Sequence, residues 1–417
     1  MADQLQPPHR RISRRAVVRQ LAGLAVVGLT GGGVVYLAHT QISPNASSPR
    51  PLPATVPVQP IGSSAIMFGF DAQHSHYNPN EHILSPANVS QLALYWSAST
   101  DGPIVSSPAV AKGIVYIGSS DWSVYAFDAS TGKVRWSSPT GGPIDSSPAV
   151  ANGIVYVGSA DHRLYVFEAS DGGGLWTTIT GSSICSSPIC TNRVVYVGSD
   201  DHTLYALDAP TGATLWETFT GGSIDSSPAV GNGVVYVGCG DRKLYAFDAT
   251  TGGLRWNVST GDRISSSPTC TKGVVYVGSD DTNFYAFNIA TGFRLWSVSL
   301  GARIRSSPAI AKGVVYVGAD DGKLHAVDAS TGKALWSVAT GGRIRSSPTV
   351  ANGVVYVGSG DHKLYAFTAA TGIPLWSVAT GGPIDSSPAV VDGVVYVGSG
   401  DRKVYAFHLP GRASALG

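Results

Sequence analysis

Short apolar runs alternate with turn residues along most of this chain, and the pattern returns every forty residues. In the first copy the apolar runs cover residues 104–110, 114–118, 124–128 and 134–137. The segments AKG, SSDWS and ASTGK separate these runs, as is typical of turns between short strands. Four strand signals in each unit, with no helical periodicity, predict one blade of a β-propeller.

Invariant columns indicate eight copies of this unit. Tyr116, Gly118 and Asp121 each return at the same place in the seven later copies, and Ser-Ser-Pro returns from residue 106 to residue 386. Proline has no N–H group, so a strand that contains it belongs at a sheet edge. The Ser-Ser-Pro strand is therefore predicted to be the innermost strand, with its free edge on the central channel.

A tryptophan column predicts how the ring closes. The first tryptophan is not preceded by the usual Thr-Gly turn, and the last copy has no tryptophan, so residues 94–98 are expected to supply the outer strand of the final blade. The sequence thus predicts an all-β, eight-bladed β-propeller of four-stranded blades over residues 93–409, with an architecture like that of WD40 repeats. The column consists of Trp96, Trp136, Trp176, Trp216, Trp256, Trp296, Trp336 and Trp376.

The end of each repeat resembles a known family. Residues 126–136 (AFDASTGKVRW) are similar to the tryptophan-docking motif of quinoprotein (PQQ-type) β-propellers, and residues 326–336 repeat that motif. The lead-in, residues 65–92, resembles the segment before the first blade in that family. Within it, Ser85 and Pro86 predict an N-cap and first helical residue of a short helix that ends near Leu92.

This resemblance implies one of two functions. Some family members are dehydrogenases that hold pyrroloquinoline quinone (PQQ) and Ca²⁺ at one mouth of the propeller, and others are non-catalytic scaffolds that bind proteins through the same kind of face. A dehydrogenase needs Ca²⁺ ligands, a general base and often a disulfide between adjacent cysteines. This chain has no adjacent cysteine pair and no insertion between repeats. We therefore expect no catalytic residue, no metal and no bound cofactor, with a PQQ/Ca²⁺-dependent alcohol-type dehydrogenase as the alternative.

Acidic and cysteine residues give weak chemical signals. The Asp121 column is interpreted as structural, because aspartate in a tight turn accepts backbone N–H bonds. Asp-Asp pairs at 200/201, 280/281 and 320/321 are poor evidence for a six- to eight-oxygen Ca²⁺ shell. Cys185 and Cys190, placed on one strand, are too far apart to form a disulfide, and Cys190 and Cys270 are interpreted as small buried apolar residues.

Three histidines form another candidate. His74, His76 and His82 lie with Glu81 in the lead-in and are considered as transition-metal ligands. Their spacing matches no established zinc pattern, so a solvated loop is the favoured interpretation.

The N-terminal segment predicts export. Residues 1–40 contain a basic stretch that includes Ser-Arg-Arg at 13–15, like a twin-arginine signal, and then an uncharged run from Gln20 to Thr40. Such a signal would carry a folded protein across a bacterial membrane, but the segment has no good cleavage site and is almost long enough to be an uncleaved anchor. Residues 41–64 are predicted to be an extended Pro/Ser-rich linker, and residues 410–417 a tail.

Composition and charge fit an exported β protein. The chain has 51 glycines, only 13% charged residues and a formal net charge of +1. Residues 1–64 hold six of the 28 basic residues and one of the 27 acidic residues, so the remainder has a net charge of −4. This balance argues against nucleic acid as a partner and against membrane contact beyond the N-terminal segment. A monomer in the cell envelope or outside the cell is expected.

One face of the ring breaks the repetition. Two positions that flank the invariant isoleucine before each inner strand vary between copies, and on a strand they would share a face. Three consecutive copies carry arginine there: Arg263, Arg303, Arg305, Arg343 and Arg345. The hairpin between the second and third strands is predicted to emerge at the same mouth. In the first copy this hairpin carries Trp122, a candidate binding residue.

Two interpretations of these arginines remain open. In one, Arg305 and Arg345 pair with nearby acids such as Asp385 and form a neutral rim. In the other, the arginines bind a carboxylate, a phosphate or an acidic peptide, and Trp122 anchors the same partner. The sequence hypothesis is thus an exported, non-catalytic propeller that binds a protein or a small anionic ligand at its arginine-bearing mouth.

Overall fold

The computed structural model describes residues 67–411. The predicted export segment (1–40), the linker (41–64) and residues 412–417 of the tail lie outside the described residues. Within 67–411 the chain forms eight β-sheets around a central axis, which confirms the eight-bladed propeller. The single helix in this part of the chain is a 3-10 turn of three residues, and none there is long and apolar enough to cross a membrane.

The lead-in contributes β1 (Tyr77–Asn78) and the 3-10 turn Val89–Gln91, and β2 (Ala93–Ser99) follows it. Blades 1 to 4 are built from β3 (Ala109–Ala111), β4 (Ile114–Gly118), β5 (Ser123–Asp128), β6 (Val134–Pro139); β7 (Ala149–Ala151), β8 (Ile154–Ser159), β9 (Arg163–Glu168), β10 (Gly174–Ile179); β11 (Ile189–Thr191), β12 (Val194–Gly198), β13 (Thr203–Asp208), β14 (Thr214–Phe219); and β15 (Ala229–Gly231), β16 (Val234–Gly238), β17 (Lys243–Asp248), β18 (Leu254–Ser259).

Blades 5 to 8 follow the same order along the chain. They consist of β19 (Thr269–Cys270), β20 (Val274–Gly278), β21 (Asn283–Asn288), β22 (Arg294–Ser299); β23 (Ala309–Ala311), β24 (Val314–Gly318), β25 (Lys323–Asp328), β26 (Ala334–Ala339); β27 (Thr349–Ala351), β28 (Val354–Gly358), β29 (Lys363–Thr368), β30 (Pro374–Ala379); and β31 (Ala389–Val391), β32 (Val394–Ser399), β33 (Lys403–His408).

The ring closes as the sequence predicts. β2 pairs antiparallel with β33, so the N-terminal strand becomes the outer strand of blade 8. Trp376 of blade 7 then donates its indole N–H to the carbonyl of Leu92, 3.0 Å away, because the last copy has no docking turn of its own. These closing contacts and all eight sheets lie within residues 67–411, so this part of the chain carries a complete fold.

A ring of eight serines encircles the central channel. The backbone N–H of the second serine of each Ser-Ser-Pro donates to the hydroxyl of its counterpart in the next blade, at 2.9–3.0 Å. The last bond runs from Ser387 to Ser107 and joins the two ends of the series. All eight serines are buried, so each bond satisfies a donor that water does not reach.

The inner strands are shorter than predicted. Residues 104–110 were expected to form one strand, but β3 includes only Ala109–Ala111, and the segment from Ile104 to Pro108 is irregular. In that segment the backbone N–H of Ser107 donates to Ser147 of the next blade, and the hydroxyl of Ser106 bonds to Gly118 of its own blade, so the chain departs from the strand ladder. Burial still alternates: Ile104 is buried between Pro103 and Val105, both exposed. A Cβ on Gly118 would overlap Ile144 of the next blade, which explains why this column is glycine.

Tryptophan docking joins each blade to the next. The indole N–H groups of the other seven tryptophans in the column donate to a carbonyl in the turn before the outer strand of the following blade, at 2.9–3.2 Å. Tyr116 of blade 1 donates its hydroxyl to the same carbonyl that Trp136 uses, that of Ala169. The glycine of the Thr-Gly turn lies against the indole ring, where a Cβ on Gly132 would come within 2.7 Å of Trp96.

The lead-in closes one end of the channel, which the sequence did not predict. Its backbone passes across the inner strands of successive blades, as Ala72 accepts from Val230 and His76 accepts from Val350. β1 then pairs in parallel with β27 and adds a fifth strand to blade 7. The predicted helix from Pro86 to Leu92 is wrong in extent: only Val89–Gln91 is helical, and the preceding residues form a turn.

The arginine-bearing mouth as a candidate functional site

The open mouth is built from two sets of loops. Each irregular segment before an inner strand is bound to the hairpin between the second and third strands of its own blade, as when Asp320 donates its backbone N–H to the carbonyl of Arg303 at 2.9 Å. The equivalent bond joins Gly360 to Arg343. The two sets therefore lie at one end of the ring, as predicted, and the lead-in lies at the other end of the channel.

The five arginines differ in their partners. Arg305 donates to both carboxylate oxygens of Asp280 at 3.1–3.3 Å, and this bond raises the pKa of Arg305. The Nε atom of Arg345 lies 3.9 Å from Oδ1 of Asp320, which holds the same position in blade 6 as Asp280 does in blade 5. The suggested partner Asp385 was wrong, since the side chains reach back to the hairpin of the preceding blade.

The remaining arginines complete the basic sector. Arg263 pairs with Asp225 of the preceding blade. Arg303 and Arg343 are exposed and have no ion-pair partner among residues 67–411. These two adjacent blades thus present guanidinium groups that are free to bind an anion.

An acidic sector lies beside the basic one. Burial and the neighbouring carboxylate of Asp225 raise the pKa of Asp200 to about 7, although Arg263 opposes this rise. Burial also raises the pKa of Asp145. The pKa of the Cys185 thiol rises to about 12, chiefly through burial, so this cysteine stays protonated and is a poor nucleophile.

A third sector of the mouth is apolar. Trp122 is 52% exposed, and its backbone adopts a left-handed conformation with φ of 73° at the hairpin. On the same blade, Val105 is 40% exposed and Pro103 is exposed. The mouth therefore has apolar, acidic and basic sectors in succession around the ring.

The acidic hairpin column is the part of this site that sequence reasoning missed. Asp200, Asp280 and Asp320 were assessed only as members of Asp-Asp pairs. A spacing of 25 residues separates Asp280 from Arg305 and Asp320 from Arg345, and the same spacing separates Asp200 from Asp225. A search for charged residues at constant spacing between repeats would have found these pairs.

The Asp121 column is structural, as interpreted. Asp121 accepts from the backbone N–H groups of Asp101, Gly102 and Ser123, and from the hydroxyl of Tyr125. The adjacent acid of each Asp-Asp pair faces a neighbouring blade instead. The two acids of a pair therefore do not share one ligand.

The lead-in histidines are not a solvated loop. His74 and His76 are buried beside Phe68, and burial lowers their pKa values to about 4 and about 3, so both are neutral at pH 7. His82 is exposed, whereas Glu81 is buried and accepts backbone N–H bonds from Ile83, Leu84 and Gly393. No group of three His, Cys, Asp or Glu side chains within 67–411 is arranged to hold a metal ion.

The mouth residues do not match a Ca²⁺ and PQQ site. The neighbouring carboxylates of the mouth, Asp200 and Asp225, lie beside the Arg263 guanidinium, which pairs with Asp225. A Ca²⁺ ion needs six to eight oxygen ligands, and these two carboxylates, of which Asp225 is already paired with Arg263, do not supply them. We therefore derive no dehydrogenase step from this geometry.

Comparisons with known proteins agree with the fold. A family model described as outer membrane protein assembly factor BamB matches residues 87–144, 123–223, 200–340 and 285–413. BamB from Moraxella catarrhalis has a similar structure, with a TM-score of 0.67 and 20% identity over 76% of this chain and 99% of that one. Quinohemoprotein alcohol dehydrogenase ADHIIG from Pseudomonas putida HK5 has a TM-score of 0.75 and 18% identity over 84% and 81% of the two chains.

A designed protein shares the same architecture. The computationally designed Ika8 protein has a TM-score of 0.68 and 20% identity over 74% of this chain and 97% of that one. No curated protein matches the chain. At these identities the likeness to solved structures shows the fold alone, and any function has to be argued from the site.

Proposed function

Since the chain belongs to the family described as outer membrane protein assembly factor BamB, we propose that it is an exported, non-catalytic scaffold that binds a protein or anionic ligand at its arginine-bearing mouth. An assembly factor acts on other proteins, which agrees with a binding role. In this proposal residues 1–40 form the export signal or membrane anchor, residues 41–64 the linker, 65–92 the lead-in and 410–417 the tail.

One observation carries the proposal. Arg303 and Arg343 are exposed on adjacent blades without an acidic partner among the described residues, whereas Arg305 and Arg345 face acids of the preceding blades. Arginine presents a planar fork of donors that matches carboxylate and phosphate groups. Arg305 and Arg345 hold the rim in place in this account, and Arg303 and Arg343 bind the partner.

Trp122 extends the binding surface. It belongs to blade 1, which blade 8 separates from the arginines of blade 7, and the exposed Val105 is on the same blade. Exposed aromatic side chains beside charged groups commonly anchor protein partners. A partner that carries both an acidic and an apolar segment would contact both sectors.

A labelled hexaglutamate peptide tests the site directly. We expect its binding to the full chain, measured by fluorescence anisotropy at low salt, to weaken at least about tenfold in Arg303→Glu/Arg343→Glu, since two attractive charges become repulsive. The matched control is Lys112→Glu/Arg193→Glu, which makes the same charge change with two exposed cations outside the mouth. Equal weakening in both variants would show that only net charge matters.

A parallel titration addresses the dehydrogenase alternative. PQQ with Ca²⁺ is added to the purified chain while cofactor absorbance, thermal unfolding and dye reduction with an alcohol are followed. The scaffold proposal predicts no saturable binding and no dye reduction. Saturable binding with dye reduction would refute the non-catalytic assignment.

A further inference from the structure

A second unusual surface lies on the outer wall, towards the end of the ring that the lead-in closes. The residue after each Thr-Gly turn is small or charged in most blades, but blade 5 has Phe293 and blade 7 has Ile373. These side chains are 72% and 58% exposed. Leu295 and Leu335, on the outer strands of blades 5 and 6, are also exposed.

Tryptophan docking places these residues on adjoining elements of blades 5, 6 and 7. Trp296 of β22 donates to the carbonyl of Ala329 in blade 6, so the strand that carries Leu295 adjoins the turn before β26. Trp336 donates in the same way to Ala369, which places Leu335 beside the turn that carries Ile373. We call Phe293, Leu295, Leu335 and Ile373 the apolar rim.

Exposed cations flank the apolar rim. Lys272 and Lys312 lie on the hairpins after β19 and β23, and backbone bonds of 3.0 Å from Ile289 to Gly273 and from Ala329 to Gly313 hold these hairpins against the turns of the rim. Arg294 and Lys333 are exposed in the rim itself. None of the four cations has an ion-pair partner within residues 67–411.

Negative charge is also reduced here. At the turn position that carries Asp or Glu in blades 1 to 4, blade 5 has Asn288 and blade 7 has Thr368. Blade 6 keeps Asp328, whose carboxylate accepts bonds from Ser330 and Thr331. This sector is therefore locally positive although the chain beyond residue 64 is net acidic.

We propose that the apolar rim and its flanking cations dock the propeller onto the surface of an anionic lipid bilayer. Apolar side chains among cations fit the boundary between headgroups and acyl chains, and the positive charge attracts anionic lipid. The rim is the outer wall of a ring and not a cleft, so it suits a broad surface better than a single peptide. The described chain also begins at the closed end of the channel, downstream of the apolar run 20–40.

This inference is independent of the proposed function, because the rim is separate from the mouth. Docking through the rim keeps the arginine-bearing mouth accessible to soluble partners. The sequence predicted membrane contact only through the N-terminal segment, and the apolar rim would be a second membrane contact.

Vesicle co-sedimentation tests the docking. Residues 65–417, which include the complete ring, avoid the contribution of the N-terminal run, and the full chain serves as a second sample. We expect 65–417 to bind vesicles that contain phosphatidylglycerol and not vesicles of phosphatidylcholine alone. Binding should fall at least about tenfold in Phe293→Ser/Ile373→Ser, and also in Lys272→Gln/Lys312→Gln.

The control is Leu215→Ser/Phe219→Ser, which removes two exposed apolar residues of blade 3. Unchanged binding of this control, with loss in both rim variants, supports the proposal. Absence of vesicle binding by 65–417, equal loss in the control, or self-association through the rim in place of vesicle binding would overturn it. Hexaglutamate binding at the mouth should be unaffected by the Phe293→Ser/Ile373→Ser change, so the two proposals fail separately.

Discussion

Replacing Asp200 with Asn should stabilise the protein at alkaline pH. Asp200 and Asp225 are neighbouring carboxylates from adjacent blades, and one Oδ atom of Asp200 is buried without a hydrogen-bond partner. Burial and the charge of Asp225 raise the pKa of Asp200 from 3.8 to about 7. Because the folded protein holds this proton more tightly than the unfolded chain does, the free energy of unfolding falls as pH rises through the window from about 4 to 7.

The size of the effect follows from that pKa shift. Each pKa unit corresponds to about 1.4 kcal/mol, so the full shift would equal about 4 kcal/mol in a site without solvent. Asp200 is only partly buried, and solvent screening reduces the expected gain to about 1–2 kcal/mol at pH 8. At pH 4 the aspartate is already protonated in the folded state, so Asn should then bring little change.

Urea unfolding followed by tryptophan fluorescence measures the change in the free energy of unfolding at pH 8 and at pH 4. The control is Asp101→Asn, which removes an exposed acid of the same mouth and should change the free energy of unfolding by less than about 0.5 kcal/mol. A gain for Asp200→Asn that is the same at pH 4 and pH 8 would refute the carboxylate repulsion. Loss of stability at pH 8 would show that the charged form makes favourable contacts.

Three further changes test the fold. Gly132→Ala should lower the free energy of unfolding by about 3 kcal/mol or more, because the new Cβ meets the Trp96 ring. Gly113→Ala, with a similar φ of 72° and nothing within 4 Å, should lower it by only about 1–2 kcal/mol. Urea unfolding compares the two variants, and equal losses would contradict the docking account. Ser107→Ala leaves the buried N–H of Ser387 unpaired and should cost about 1–3 kcal/mol by the same assay, against almost nothing for the exposed Ser90→Ala. Burial lowers the pKa of His76 to about 3, so the free energy of unfolding falls as pH drops below 6.5. His76→Phe should recover about 2 kcal/mol of that loss at pH 5. The same fall in the free energy of unfolding in the variant and the parent protein would contradict this role.

The sequence predicted the ring because the repeated residues act between blades. The Trp136 column and Ser-Ser-Pro make the same contact in every blade, and the glycine of the docking turn makes its contact in blades 1 to 7, so a constant spacing carries the information. Closure through residues 94–98 was also predictable, because the last repeat lacks one strand and the chain has one additional strand before the first repeat. The pairing of β2 with β33 confirms it.

The lead-in could not be predicted in this way. His74 and His76 resemble solvated loop residues in sequence, but they are buried because the lead-in backbone crosses the channel and accepts bonds from four inner strands. The extent of the inner strand was wrong because the serine ring replaces the strand ladder over residues 104–108. Both features depend on the assembled ring and not on any local pattern.

The candidate site was predicted in position but not in pairing. The arginine columns and Trp122 do lie at one mouth, because the spacing of strands fixes which loops share an end. Arg305 contacts Asp280 because the irregular segment before each inner strand lies against the hairpin of the preceding blade. This contact between blades can be identified only when the positions of neighbouring blades are known. That relation leaves Arg303 and Arg343 as the arginines available to a partner.

Site-specific photocross-linking in the native host tests the central claim most directly. A benzoylphenylalanine residue replaces Arg343 in one strain and Ala213, an exposed residue outside the mouth, in another. The account predicts a discrete protein adduct from position 343 that is lost when Arg303 is also changed to Glu, and none from position 213. The absence of adducts at position 343, or the same adducts from both positions, would contradict a binding role for the arginine-bearing mouth.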